Sequence, residues 1–162
     1  MDLFLIGHDY KYAVEQSLLT LYSGEKPVYP DAPGALPYIE VKQSTGKQYT
    51  TITTRIHLET GVFTGSARVQ TELLTDDKLI RNRHMQRVIR QSFYRAAMAT
   101  GMPHPQWGAL TGVRPAKLMT KLLRQGKTDR QAKAAFQKTD FTSPERTELC
   151  LDGAHYSMVA ED

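Results

Sequence analysis

The sequence predicts an α+β protein: an antiparallel sheet in β-α-β-β-β-α order packed with helices, followed by a small C-terminal helical appendage. Three observations carry that expectation. Between Tyr38 and Val69 apolar residues recur with a period of two, and between residues 77 and 100 they recur with a helical period. After residue 104 three short helical patterns follow one another with clear start and stop signals. The expected division is an α+β domain over 1–103 and a loop with a helical segment over 104–162.

The elements follow in order. Leu3-Phe-Leu-Ile6 reads as a short buried strand, and Val14, Ser17, Leu18, Leu21 and Tyr22 then fall at helical spacing until Gly24. Pro27, Pro30, Pro33 and Pro37, with Gly34 among them, forbid regular structure and predict a surface loop. Tyr38–Val41 opens the meander and Ser44-Thr-Gly46 turns it. Ile52, Thr54, Ile56 and Leu58 then alternate with polar neighbours, and Glu59-Thr-Gly61 leads to a strand with Phe63, Gly65, Ala67 and Val69 on one face. The long helix places Leu79, Met85, Val88, Ile89, Phe93, Ala96 and Ala97 inward, with Thr75 or Asp76 as cap and Gly101 and Pro103 as stop. Pro115 to Gln125 is expected to bury Leu118, Met119, Leu122 and Leu123 and to end at Gly126. Thr128-x-x-Gln131 is a capping box ahead of Ala132, Ala135 and Phe136. Ser143-Pro144 starts a last helix presenting Leu149, Cys150, Ala154 and Met158.

Hydrophobic residues at 40% and charged residues at 23% place the chain in the ordinary globular class. Leu3–Ile6 is too short for a signal-peptide core or a membrane span, so a cytoplasmic protein is expected. The single cysteine, Cys150, excludes an intramolecular disulfide and any multi-cysteine zinc or iron–sulfur site built by this chain alone. His8, His57, His84, His104 and His155 lack the spacing of a metal site, and surface or hydrogen-bonded roles are the ordinary expectation.

The net charge of +4 hides an asymmetry. Residues 1–77 carry 6 Lys/Arg against 10 Asp/Glu, residues 78–138 carry 14 against 1, and residues 139–162 carry 1 against 6. A block so poor in carboxylates implies an anionic partner, or acidic flanks that fold back on it. Arg83, Arg87, Arg90 and Tyr94 recur at helical spacing and form a stripe; Lys117, Lys121, Arg124, Lys127 and Arg130 lie beyond it. Such a row neutralises phosphates or carboxylates, or is simply a solvated helix face.

Other constellations have plainer readings. Gln125-Gly-Lys-Thr128 has the end of a phosphate-binding loop but Lys121 where the first glycine belongs, so a helix stop and a helix start explain it. Asp76-Asp77 precedes a helix and is expected to cap it rather than to act as an acid–base pair. Ser17 and Ser92 have no base near in sequence, and no catalytic residue is assigned.

Gln106-Trp-Gly-Ala-Leu-Thr-Gly-Val-Arg-Pro-Ala-Lys-Leu118 joins special backbone residues to one tryptophan and two cations. Gly108 and Gly112 tolerate positive φ and Pro115 suits a first helical turn, so a tight loop feeding a helix is expected, with Trp107 as anchor and Thr111 within the turn. Arg114 and Lys117 are its candidate carboxylate ligands, beside open amides at the helix start; capping and stapling are the structural alternative.

This block, with Leu122-Leu-x-x-Gly126 and the helix after Ser143-Pro144, resembles the N-terminal region of the HemZ-type oxygen-independent coproporphyrinogen III oxidases of the radical SAM superfamily. In that family a Trp-Gly-x-Leu-Thr-Gly-x-Arg-Pro-x-Lys block precedes the barrel, and the CxxxCxxC motif follows after the helical segment. Ala116 departs from the threonine common there, and no three-cysteine motif occurs in this chain. The resemblance implies an accessory domain of a haem-biosynthetic oxidoreductase, a coproporphyrinogen dehydrogenase. Its 4Fe-4S cluster and S-adenosylmethionine would belong to a radical SAM barrel outside this chain. The implied partners of the basic surface are that barrel, a tetracarboxylate porphyrinogen or an acidic electron donor. A nucleic-acid-binding module and a structural or dimerising domain are the alternatives; no membrane partner is expected.

Overall fold

The computed structural model describes residues 1–105 and 115–161, and the chain divides into two compact units, Met1–Pro103 and His104–Asp162. In the first unit the strands are β1 (Asp2–Ile6), β2 (Tyr38–Thr45), β3 (Tyr49–Leu58) and β4 (Gly61–Gln70). Helix α1 (Lys11–Leu21) connects β1 to β2, and α2 (Lys78–Ala99) follows β4 after a short 3₁₀ turn. The strands lie in the order β1-β2-β3-β4. β2, β3 and β4 form the expected antiparallel meander, in which Val41 pairs with Thr54 and Thr54 with Gly65. β1 joins the edge parallel to β2, Leu3 opposite Ile39, so the sheet is mixed. A helical crossover from β1 makes that parallel pairing possible, whereas hairpins join the other strands.

Alternation along the strands decides which face is covered. Ile39, Val41, Ile52, Thr54, Ile56, Ala67 and Val69 are buried, while their neighbours in sequence are partly or fully exposed. α2 packs over β3 and β4 and against α1. Met85, Val88, Ile89, Phe93, Ala96 and Ala97 fill that interface. Burial of each large side chain contributes roughly 1.5–3 kcal/mol. Gly65 and Ser92 allow a close crossing, and Thr54 Oγ1 lies 2.8 Å from Ser92 Oγ. Since the Ser92 hydroxyl donates to the Ile89 carbonyl at 3.0 Å, it is the Thr54 hydroxyl that donates to Ser92.

Two expectations for α2 are corrected. The cap is Asp77, whose carboxylate accepts from the Leu79 and Ile80 amides at 3.0 and 3.4 Å, rather than Thr75 or Asp76. Leu79, the second residue of the helix, is 61% exposed rather than inward.

The second unit holds α3 (Pro115–Arg124), α4 (Asp129–Thr139) and α5 (Pro144–Glu161). Met119, Ala132, Phe136, Cys150, Leu151 and Ala154 form its core, with Leu118, Leu122 and Leu123 against it. Gly126 takes φ +89 past the end of α3, and Thr128 and Gln131 exchange both bonds of the capping box. The Gln125–Thr128 segment is therefore a helix stop and a helix start. On α5 the expectation for Leu149 is corrected: it is 58% exposed, and Leu151 takes a core position instead.

Candidate functional site

The cations of α2 divide by depth. Arg83 is exposed, and Arg87 and Arg90 are half-buried. A guanidinium only donates, so the 3.3 Å contact between Arg87 and His84 Nδ1 makes that nitrogen an acceptor. Burial, and then the Arg87 charge, hold His84 below its usual pKa, in keeping with a neutral ring. Arg95 is exposed and donates to the Ser66 carbonyl at 2.6 Å, tying the helix to β4. Tyr94 departs from the expected stripe: it is buried, with burial raising its phenol pKa. The surface row is thus Arg83, Arg87 and Arg90 without an aromatic.

In the second unit Lys117, Lys121 and Arg124 are exposed along α3 at spacings of four and three. Lys127 and Arg130 are exposed at the turn into α4. Acidic residues of α4 and α5 meet some of the charge: Lys133 Nζ lies 2.7 Å from Glu148, and His155 Nε2 lies 2.8 Å from Asp129. α3 opens on Pro115. Trp107, Gly108, Thr111, Gly112 and Arg114 lie outside the described residues. The candidate cations therefore fall in two groups, Arg83, Arg87 and Arg90 in the first unit and Lys117 in the second.

The hydroxyls weighed as nucleophiles are occupied in the packing. Ser17 donates to the Ala13 carbonyl at 3.0 Å and is buried, and Ser92 is held between Ile89 and Thr54. Cys150 lies in the helical core, where burial pushes its thiol pKa up and leaves it a poor nucleophile.

Sequence reading missed a cluster of rings on the less buried face of the sheet. Phe4 packs edge-on to Tyr38 at 5.6 Å, Tyr38 stacks on His57 at 4.2 Å, and His57 lies 3.0 Å from Glu40. Arg68 covers the Tyr49 ring at 4.0 Å. The signal was present as strand parity, since Tyr38, Glu40 and His57 alternate with Ile39, Val41 and Ile56.

His8 fixes the chain after β1. Its Nδ1 accepts from the Tyr10 amide at 3.1 Å, so Nε2 carries the proton and donates to the Val41 carbonyl at 2.9 Å. Desolvation outweighs the Val41 bond and nearby Asp9, and the pKa is lowered from 6.5. A folded value below the unfolded one means that the unfolded chain binds more protons. The stabilisation is complete above about pH 6.5 and is lost as pH falls toward the folded pKa. His8→Ala is expected to cost on the order of 1–2 kcal/mol at pH 8. Denaturation measured from pH 8 to pH 5 should show a smaller acid-induced loss in the variant than in the parent chain.

Among the described residues no group of three or more His, Cys, Asp or Glu is placed to hold a metal ion, and no helix is long and apolar enough to cross a membrane. Comparison with family models, with curated proteins and with solved structures gives no match.

Proposed function

We propose that this chain is the N-terminal accessory domain of a cytoplasmic, oxygen-independent coproporphyrinogen III oxidase-like radical SAM enzyme of haem biosynthesis. Its contribution is binding rather than chemistry. The observation that carries the reading is the Trp107-Gly-Ala-Leu-Thr-Gly-Val-Arg-Pro-Ala-Lys-Leu118 block. The surface cations add support for an anionic partner: Arg83 on α2 and Lys117 and Lys121 on α3 are exposed.

This chain's residues do not fit the family's iron–sulfur cluster. One cysteine, buried among Met119, Phe136 and Leu151, is not a three-thiolate set. Under this proposal the cluster and S-adenosylmethionine belong to the barrel of the parent protein. The basic rows of the accessory domain receive the tetracarboxylate substrate, an acidic electron donor, or the barrel itself.

The test compares the full-length parent with a version lacking residues 1–105, under anaerobic conditions with coproporphyrinogen III. Deletion is expected to weaken substrate affinity or reductant-supported turnover about tenfold, the loss of roughly 1.4 kcal/mol of binding. Unchanged kinetics would sink the substrate and donor roles of the α2 row, and a parent without a CxxxCxxC motif would sink the family assignment. The excess of 14 basic over 1 acidic residue in 78–138 favours one other reading, a nucleic-acid-binding module. Filter binding at low salt tests it, and absence of retained RNA or DNA removes it.

A further inference from the structure

Among the described residues β1 is an edge strand whose outer side is only partly covered. The Leu3 amide donates to the Val28 carbonyl at 2.8 Å and the Val28 amide to the Met1 carbonyl at 3.2 Å, an isolated parallel bridge at Asp2. The loop cannot extend that ladder by the same means, because Pro30 and Pro33 have no N–H to offer. Beyond Val28 the chain instead becomes the far wall of an open groove of about 510 Å³ beside Leu3–Ile6. Alternation along the strand turns the Leu5 amide and carbonyl to the same outer edge as the Leu3 amide. With the Leu3 amide taken by Val28, the outward edge available to another strand runs from the Leu3 carbonyl to the Leu5 amide and carbonyl, room for roughly three residues of extended chain at about 3.3 Å per residue.

Charge identifies the occupant. Asp9, Asp31 and Glu40 line the groove, with Glu40 already 3.0 Å from His57, against a single lysine, Lys11. The Lys11 ammonium is already placed 5.0 Å over the Tyr29 ring, and His8 is held between two backbone groups. Apolar surface lies beside the carboxylates, with Ile6 42% exposed and Tyr29 37%. A second copy would bring a groove lined by the same three carboxylates and one lysine, and that like charge opposes self-pairing.

We propose that this groove binds an extended, lysine- or arginine-bearing peptide segment of a partner protein, which adds to the sheet as a strand beside β1. Main-chain hydrogen bonds to the Leu5 edge supply affinity, and the flanking carboxylates select basic side chains. This site is built from other residues than the basic rows of α2 and α3, and it does not rest on the family assignment.

The test uses the whole chain and a fluorescein-labelled, capped peptide of about eight residues alternating valine and lysine, at about 0.1 M salt. One control replaces lysine by glutamate, and another replaces two central valines by proline. Anisotropy is expected to show the lysine peptide binding at least tenfold tighter than either control. Exchange of the Leu5 amide, followed by NMR, should slow at least tenfold at saturation. Asp9→Asn with Asp31→Asn, both at exposed positions, should weaken binding about tenfold without altering the fold. Equal binding of the lysine and glutamate peptides, an unchanged Leu5 amide, or indifference to D9N/D31N would overturn the proposal. Self-association that protects Leu5 without peptide would assign the edge to a second copy instead.

Discussion

Gly65→Ala should destabilise the first unit by about 3 kcal/mol, because overpacking at a rigid contact has no soft neighbour to absorb it. A methyl group there would lie well inside contact distance of the Ala96 nitrogen and the Ser92 carbonyl oxygen, and 2.8 Å from the Arg95 carbonyl carbon. All of these are backbone atoms of α2, so no rotamer change relieves the overlap. The helix must lift from β4, which strains the buried Thr54–Ser92 hydrogen bond and loosens the packing of Phe93, Ala96 and Ala97. Gly34→Ala is the matched control: nothing lies within 4 Å of a methyl at that position. It should stay within about 0.5 kcal/mol of the parent. Urea denaturation of both variants decides the matter, and a loss below about 1 kcal/mol for Gly65→Ala would mean that the helix–sheet crossing is less rigid than described.

That crossing also marks how far the sequence could be read. The period of two showed the meander, and Phe63, Gly65, Ala67 and Val69 share a face as expected, three of them buried. The capping box and the Ser143 start were legible because each is a local hydrogen-bonding pattern; the Arg146 amide indeed donates to Ser143 Oγ at 3.3 Å. The pairing of β1 with β2 was not legible. It joins residues 36 apart, such as Leu3 and Ile39, and no local period encodes which edge a strand takes. Tyr94 was misplaced for a related reason. Phe93 and Tyr94 are both buried on a helix that meets the sheet and α1 together, so the covered arc is wider than a single apolar stripe. Of the candidate binding residues, the sequence singled out cations by spacing alone. It could not separate exposed Arg83 from half-buried Arg87 and Arg90, since depth depends on neighbouring elements.

Phe136→Ala is expected to unfold the second unit while leaving the first intact. Phe136 is fully buried, and a Phe-to-Ala change in a core costs about 3–5 kcal/mol. A unit of roughly 60 residues has little margin, since a core of that size supplies only about 3–5 kcal/mol in total. The remaining apolar residues include Ala132, Ala154 and Cys150, which are too small to refill the space. Helices of 10, 11 and 18 residues are marginal in water without tertiary packing. They hold more than half of the helical residues among those described, so the far-UV helical signal should fall by about half. The first unit has its own core around Ile39, Ile52, Ile56 and Phe93, and amide exchange at Ile52 and Ile56 should remain slow in the variant. Loss of protection at those two amides together with the helical signal would show that the units share one folding transition. Slow exchange retained at Ile52 and Ile56 would bear directly on function, because a helical segment that folds by itself can be assayed for anionic partners separately from the sheet and its acidic groove.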